Sequence, residues 1–208
     1  MIRNILASAC LVAAATAADA TTTVNFVTSG PDSATTAGFF SLSVSSTDGQ
    51  SVSSISIDLS PSAGAFFDFD GSGSFDDATA PVFSGLSGVT ESDITLGFVG
   101  PASSPTELIL NFAAGTFADG DSLLFGADTD SFFGGPPNPG GDFGDAGVLV
   151  NATVGGTTRS SSFTKVSDNV SVARIEFDVQ VVPLPAGLPL LMGGLAAFGL
   201  IRGARRKA

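Results

Sequence analysis

The 208-residue chain has no histidine, no tryptophan and no tyrosine, and its one cysteine is Cys10. Without histidine there is no imidazole to act as general base, to complete a serine triad or to ligate a transition metal. A single cysteine in an apolar N-terminal stretch leaves the rest of the chain without a thiolate nucleophile or an internal disulfide. Basic residues are scarce as well, 8 Lys and Arg against 20 Asp and Glu. Between residues 21 and 182 only Arg159, Lys165 and Arg174 face 19 acidic residues, all of the 20 except Asp19, so the formal charge there is −16 where the whole chain carries −12. Such a field repels nucleic acid and anionic headgroups and attracts cations, and no nucleic-acid partner is expected.

Carboxylates are then the main groups left for catalysis. A glycoside hydrolase needs one acid to protonate the leaving oxygen and one carboxylate to attack or to activate water. Glu91, Glu107 or Glu176 with an aspartate would supply the residue types. Nothing in their spacing selects a pair, and no Trp or Tyr offers a sugar platform, so the chain reads as a non-enzyme with a carboxylate-based hydrolase as the weakest alternative.

The abundant pattern is a period of two. Ile55, Ile57 and Leu59 alternate with serines and Asp58, Leu108, Leu110 and Phe112 with Ile109 and Asn111, and Phe40, Leu42 and Val44 form a further face. Over residues 171–181, Ala173, Ile175, Phe177, Val179 and Val181 face one way and Val172, Arg174, Glu176, Asp178 and Gln180 the other. Half-buried strands read this way. Val148, Val150, Ala152 and Val154 make another, and Gly155-Gly156 predicts a two-residue hairpin into residues 157–164. Some eight to ten strands separated by Gly, Pro and Asp turns predict an all-β domain over residues 21–182, an antiparallel β-sandwich with a jelly-roll-like arrangement as one form.

Seventeen of the 18 phenylalanines lie in that span. Phenylalanine fills a β core without a polar atom to satisfy. Several come as adjacent pairs, among them Phe39-Phe40, Phe66-Phe67 and Phe132-Phe133. Neighbours in a strand point to opposite faces, so one member of each strand pair is expected to be exposed or to lie under a loop.

The aspartates cluster in Gly-rich loops: Asp68 and Asp70 ahead of Gly71, Asp76 and Asp77 beyond it, then Asp119-Gly120-Asp121, Asp128 with Asp130, and Asp142 with Asp145. Calcium takes six to eight oxygens, and Asp-x-Asp on a flexible loop lets several converge. The loop from Asp68 is not an EF-hand, because the third acidic position is glycine and no glutamate closes it. Asp128 and Asp130, where the apolar run 123–127 ends, are the preferred calcium ligands, with Asp68, Asp70 and Asp142 as further candidates. The competing reading is that aspartate is there for turn geometry.

Both ends have the layout of targeting segments. Arg3, an apolar stretch over residues 5–18 and Ala18-Asp19-Ala20 predict a signal peptide over residues 1–20. At the other end, residues 182–201 carry no charge and are just long enough to span ~30 Å of hydrocarbon. Pro183, Pro185 and Pro189 hold the start extended, and Arg202, Arg205, Arg206 and Lys207 place the C-terminus in the cytoplasm. The motif Val182-Pro183-Leu184-Pro185-Ala186, the span and the basic cluster together resemble the PEP-CTERM class of exosortase substrates, in its VPLPA variant. The resemblance covers residues 182–208; residues 117–154 are loosely similar to a segment of secreted β-rich proteins of that class. It implies a transmembrane sorting helix, an exosortase-like processing enzyme as partner, transient residence in the inner membrane, and release or attachment at the cell surface. A permanent single-span anchor is the alternative from the residues alone. The class further implies a role in the exopolysaccharide or biofilm matrix, as a structural protein or as a calcium-dependent carbohydrate-binding adhesin.

Overall fold

Alternation of apolar and polar residues commits most of the chain to strands with one wet and one dry face, and these strands pair into sheets. The structure, a computed structural model, describes residues 20–33, 36–62, 64–69, 80–131 and 140–179. The sorting motif at 182–186, the basic residues Arg202, Arg205, Arg206 and Lys207, the signal peptide up to residue 19, Asp70 and the Phe132-Phe133 pair lie outside the described residues. No helix among the described residues is long and apolar enough to cross a membrane.

The fold is all-β. Among the described residues thirteen strands run in chain order: β1 (Ala20–Ser29), β2 (Phe40–Ser46), β3 (Val52–Asp58), β4 (Ala65–Phe67), β5 (Val82–Ser87), β6 (Ile94–Val99), β7 (Glu107–Phe112), β8 (Ser122–Gly126), β9 (Thr129–Ser131), β10 (Leu149–Val154), β11 (Thr157–Ser162), β12 (Thr164–Ser167) and β13 (Val170–Val179). A one-turn helix, α1 (Asp142–Asp145), precedes β10. The count exceeds the eight to ten expected because β4, β9 and β12 have only three or four residues, too few to show a period. One sheet has the order β12-β13-β1-β2-β8-β5, a second β11-β10-β3-β7-β6, and β4 pairs with β9 alone. All pairings are antiparallel.

The dry faces of the two large sheets meet in one core. Phe26, Leu42 and Phe125 from the first and Ile55, Leu110 and Val150 from the second belong to a single buried cluster, a sandwich-like arrangement. Each such side chain, fully buried, contributes about 1.5–3 kcal/mol from apolar transfer. The alternation at β13 is as the sequence predicts: Ala173, Ile175 and Phe177 are buried while Val172 is exposed. The hairpin from β10 to β11 turns on Gly155 and Gly156 at φ 56° and 77°, the left-handed pair that a two-residue turn needs.

None of the four described members of Phe39-Phe40 and Phe66-Phe67 is exposed, so exposure, one of the two placements expected for one member of a strand pair, does not occur in them. Phe39 precedes β2 and is therefore free of its alternation. It packs edge-on to Phe40, ring centroids 4.9 Å apart, and 5.4 Å from Phe143 of α1. In β4 all three residues are buried, so both faces of that short strand are covered.

Glycines let α1 sit directly on the β12–β13 turn. A Cβ on Gly140 would lie 2.4 Å from the Asn169 carbonyl oxygen, and one on Gly141 2.4 Å from those of Ser167 and Asp168. The Thr28 hydroxyl donates to the Gly140 carbonyl (2.8 Å) and the Ser171 hydroxyl to that of Gly141 (3.1 Å). These bonds fix α1 and its aspartates against the end of β1 and the start of β13.

Candidate metal centre

Short strands bring distant aspartates together. β4 and β9 pair so that Phe67 lies opposite Thr129 and Phe66 opposite Asp130. The next step of that register sets Asp68 beside Asp128, and the Asp68 amide donates to the Asp128 carbonyl at 3.2 Å. Asp128 and Asp130 are two residues apart in extended chain and so lean to one side. One carboxylate oxygen from each of Asp68, Asp128 and Asp130 lies within 4.8 Å of the others. The three residues are 0%, 3% and 7% exposed.

The neighbourhood makes three charges there costly. Burial, then the charges of Asp130, Asp68 and Asp32, push the Asp128 carboxyl up to about 7. Burial, the Asp68 charge, a side-chain hydrogen bond with Asp68 and the Asp32 charge push Asp130 up to about 6. A hydrogen bond between two carboxyl groups requires a proton on one of them. The Asp130 Oδ2 atom is buried with no hydrogen-bond partner among the described residues.

No basic side chain offsets this. Arg159 donates to the Glu176 carbonyl and lies 5.5 Å over the Phe177 ring. Arg174 pairs with Glu176, and Lys165 with Asp145 (2.7 Å) and Asp168 (3.3 Å). These three are the only Lys and Arg residues among those described. Two oxygens on one calcium ion at about 2.3–2.6 Å are at most about 5 Å apart, so the spacing of the triad fits that ion. The hard, all-oxygen donor set suits calcium rather than softer metals, and magnesium, which keeps several of its waters, is held poorly by a buried cage of carboxylates.

Of the five candidate calcium ligands, the structure thus brings together Asp128, Asp130 and Asp68. Asp142 is not with them. It lies on α1, where burial raises its carboxyl, the Lys165 charge lowers it, and Asp145 and Asp168 raise it further. The α1 loop docks on the β12–β13 turn, and Asp142 is not one of the three residues whose oxygens converge. Asp119 and Asp121 serve turns, accepting the backbone amides of Ser46 (2.8 Å) and Ala118 (2.7 Å).

Asp32 and Ser33 are the residues that sequence reasoning missed. The Ser33 and Thr129 hydroxyls are 2.8 Å apart, and the Thr129 amide donates to Ser33 Oγ at 3.2 Å. That link carries the loop after β1 to the triad and brings the Asp32 charge near it. The turn signal Gly30-Pro31 marked a loop there but not where it would dock. Comparison of the chain with protein-family models, with curated proteins and with solved structures finds no match.

Proposed function

We propose that the protein is a secreted cell-surface or extracellular-matrix β-sandwich that holds one calcium ion on Asp68, Asp128 and Asp130, with no catalytic role of its own. The observation that carries the cation is the triad itself: three buried carboxylates with, among the described residues, no partner for one of their oxygens and no lysine or arginine beside them. A divalent ion supplies the missing charge and takes up that oxygen. It also ties the end of β4 to the start of β9, a pair too short to be stable by itself. Burial of these carboxylates to 7% or less leaves room for an ion and none for a glycosidic bond, which argues against reading them as hydrolase acids.

Calorimetric scans of the purified full-length chain test this. Calcium in excess at one hundred times Kd adds about 2.7 kcal/mol to the folded state, a rise of several degrees in the thermal midpoint. Charge screening also stabilises so acidic a protein, so magnesium at equal ionic strength and an Asp128→Asn, Asp130→Asn variant are the controls. An equal response to magnesium, or an undiminished calcium response in the variant, would refute the site.

The sorting part of the proposal rests on residues alone: Val182, Pro183, Leu184, Pro185 and Ala186, then an uncharged span, then Arg202, Arg205, Arg206 and Lys207. It includes a cleaved N-terminal signal peptide, a C-terminal transmembrane helix and recognition by an exosortase-like enzyme. The jelly-roll form of the sandwich belongs here too. Its support is that the chain crosses between the two large sheets repeatedly, as from β2 to β3, from β5 to β6 and from β7 to β8.

A further inference from the structure

A second feature lies on the other side of Thr129. A cavity of about 350 Å³ opens between α1, the segment that follows β3, β4 and the start of β10. Its volume is at the lower end of the range for small-molecule sites, the scale of one sugar ring rather than a chain. Leu59, Ala65, Phe143 and Val148 give it an apolar wall, and all four are buried.

Four polar side chains interrupt that wall; Thr129 and Asp145 are engaged by Ser33 and Lys165, which leaves Ser62 and Asp142. Neither has a side-chain hydrogen-bond partner among the described residues. Lys165 is the cation nearest to hand, but its ammonium is engaged by Asp145 at 2.7 Å and Asp168 at 3.3 Å. Asp142 is thus a half-buried carboxylate at the edge of an apolar hollow, with its would-be counterion held elsewhere. Burial strengthens its pull on any cation that enters. The charge of −16 over residues 21–182 concentrates cations around the domain before they reach it.

We propose that this cavity binds an amino sugar, its ammonium on the Asp142 carboxylate, a hydroxyl on Ser62, and the C–H face of the ring against the apolar wall. An alkyl amine would meet the charge and the wall but leave Ser62 unused. A neutral hexose would meet the wall and Ser62 but leave the carboxylate unpaired, and an N-acetylated one would place an amide where a cation is wanted. A charge-assisted hydrogen bond accounts for the discrimination. The site uses none of the triad carboxylates, so its contacts with the ligand are separate from those of the calcium ion.

The test is isothermal titration of the full-length chain at neutral pH, with a chelator present so that calcium plays no part. D-glucosamine is expected to bind at least about tenfold more tightly than D-glucose, N-acetyl-D-glucosamine or n-hexylamine. Asp142→Asn should cost about tenfold for glucosamine and leave glucose unaffected. Ala146→Leu, which fills the cavity without changing charge, should abolish binding while leaving the thermal midpoint close to wild type. Equal affinity for glucose and glucosamine, hexylamine binding as well as glucosamine, no binding at all, or full affinity in Asp142→Asn would each overturn the proposal.

Discussion

Two groups of three aspartates lie in this protein, and they are opposites. Asp145 and Asp168 hold Lys165 at the surface, their side chains 61% and 96% exposed, with half-buried Asp142 within reach of the same charges. Asp68, Asp128 and Asp130 gather with one another and are nearly inaccessible, and the three Lys and Arg side chains among the described residues have their partners elsewhere. Carboxylate number is the same, so it is not what sets the cost. Water and a counterion dissipate the charge in the first group, while the second has lost both and must find a proton or a metal. A count of aspartates in loops therefore says little about binding, and their solvation says much.

The contrast breaks most visibly in pH. Asp128 and Asp130 are pushed up to about 7 and about 6, above the usual ~3.9 of an unfolded aspartate. Between about pH 4 and pH 7 the folded chain then holds more protons than the unfolded one, so its stability falls as pH rises through that window. Below pH 4 both states are protonated and the full contribution is present. The two groups titrate as a pair, and the loss expected by pH 8 is on the order of 3 kcal/mol. Calorimetric midpoints of chelator-treated protein should fall by roughly 6–12 °C across the window. Calcium should flatten the curve, and the Asp128→Asn, Asp130→Asn variant should flatten it without calcium. A slope that survives in that variant would assign it to general repulsion over the acidic surface instead.

A smaller effect, with a sign that reverses, separates a metal centre from a merely strained cluster. Asp128→Asn removes a charge from the buried group while keeping its shape. Without calcium at pH 8 it should raise stability by about 1–2 kcal/mol, because one uncompensated charge is gone. With calcium in excess it should lower stability relative to wild type, because a ligand is gone. Melting curves of the two proteins with and without the ion check both halves. Stabilisation under both conditions would mean that the cluster is a cost with no ion to offset it.

The sequence made the sheets legible wherever a strand is long enough to alternate. Ile55 with Ile57, Leu108 with Leu110 and Ala173 with Ile175 point inward as read, and Gly155-Gly156 turns as read. The Asp128 and Asp130 pair was legible too, because two aspartates follow an apolar run. Their meeting with Asp68 was not resolved to a particular partner, since Asp70 and Asp142 looked as good. That choice is made by the three-residue pair β4–β9, in which AFF and TDS carry no period to read. Asp32 enters through one hydroxyl contact, Ser33 to Thr129, between residues 96 apart in the chain. Phe39 stands just outside a strand, so alternation does not govern it, and its burial is compatible with the expectation that one member of a pair is exposed or lies under a loop.

The smallest expected effect comes from the exposed group and completes the comparison. Lys165 holds Asp145 and Asp168, and hydrogen bonds to both raise its pKa. Asp145→Asn removes the shorter of the two contacts but leaves Asp168 at 3.3 Å and abundant water around all three side chains. Exposed pairs of this kind are worth little, because solvent already screens both charges and long side chains lose freedom when they pair. The thermal midpoint should therefore move by no more than about 1 °C. The shift should vanish at high salt, whereas the buried triad should respond much less to salt than to calcium. A fall of several degrees in Asp145→Asn would mean that Lys165 anchors α1 on the β12–β13 turn and that this surface group is structural, which would end its use as the solvated reference for the buried one.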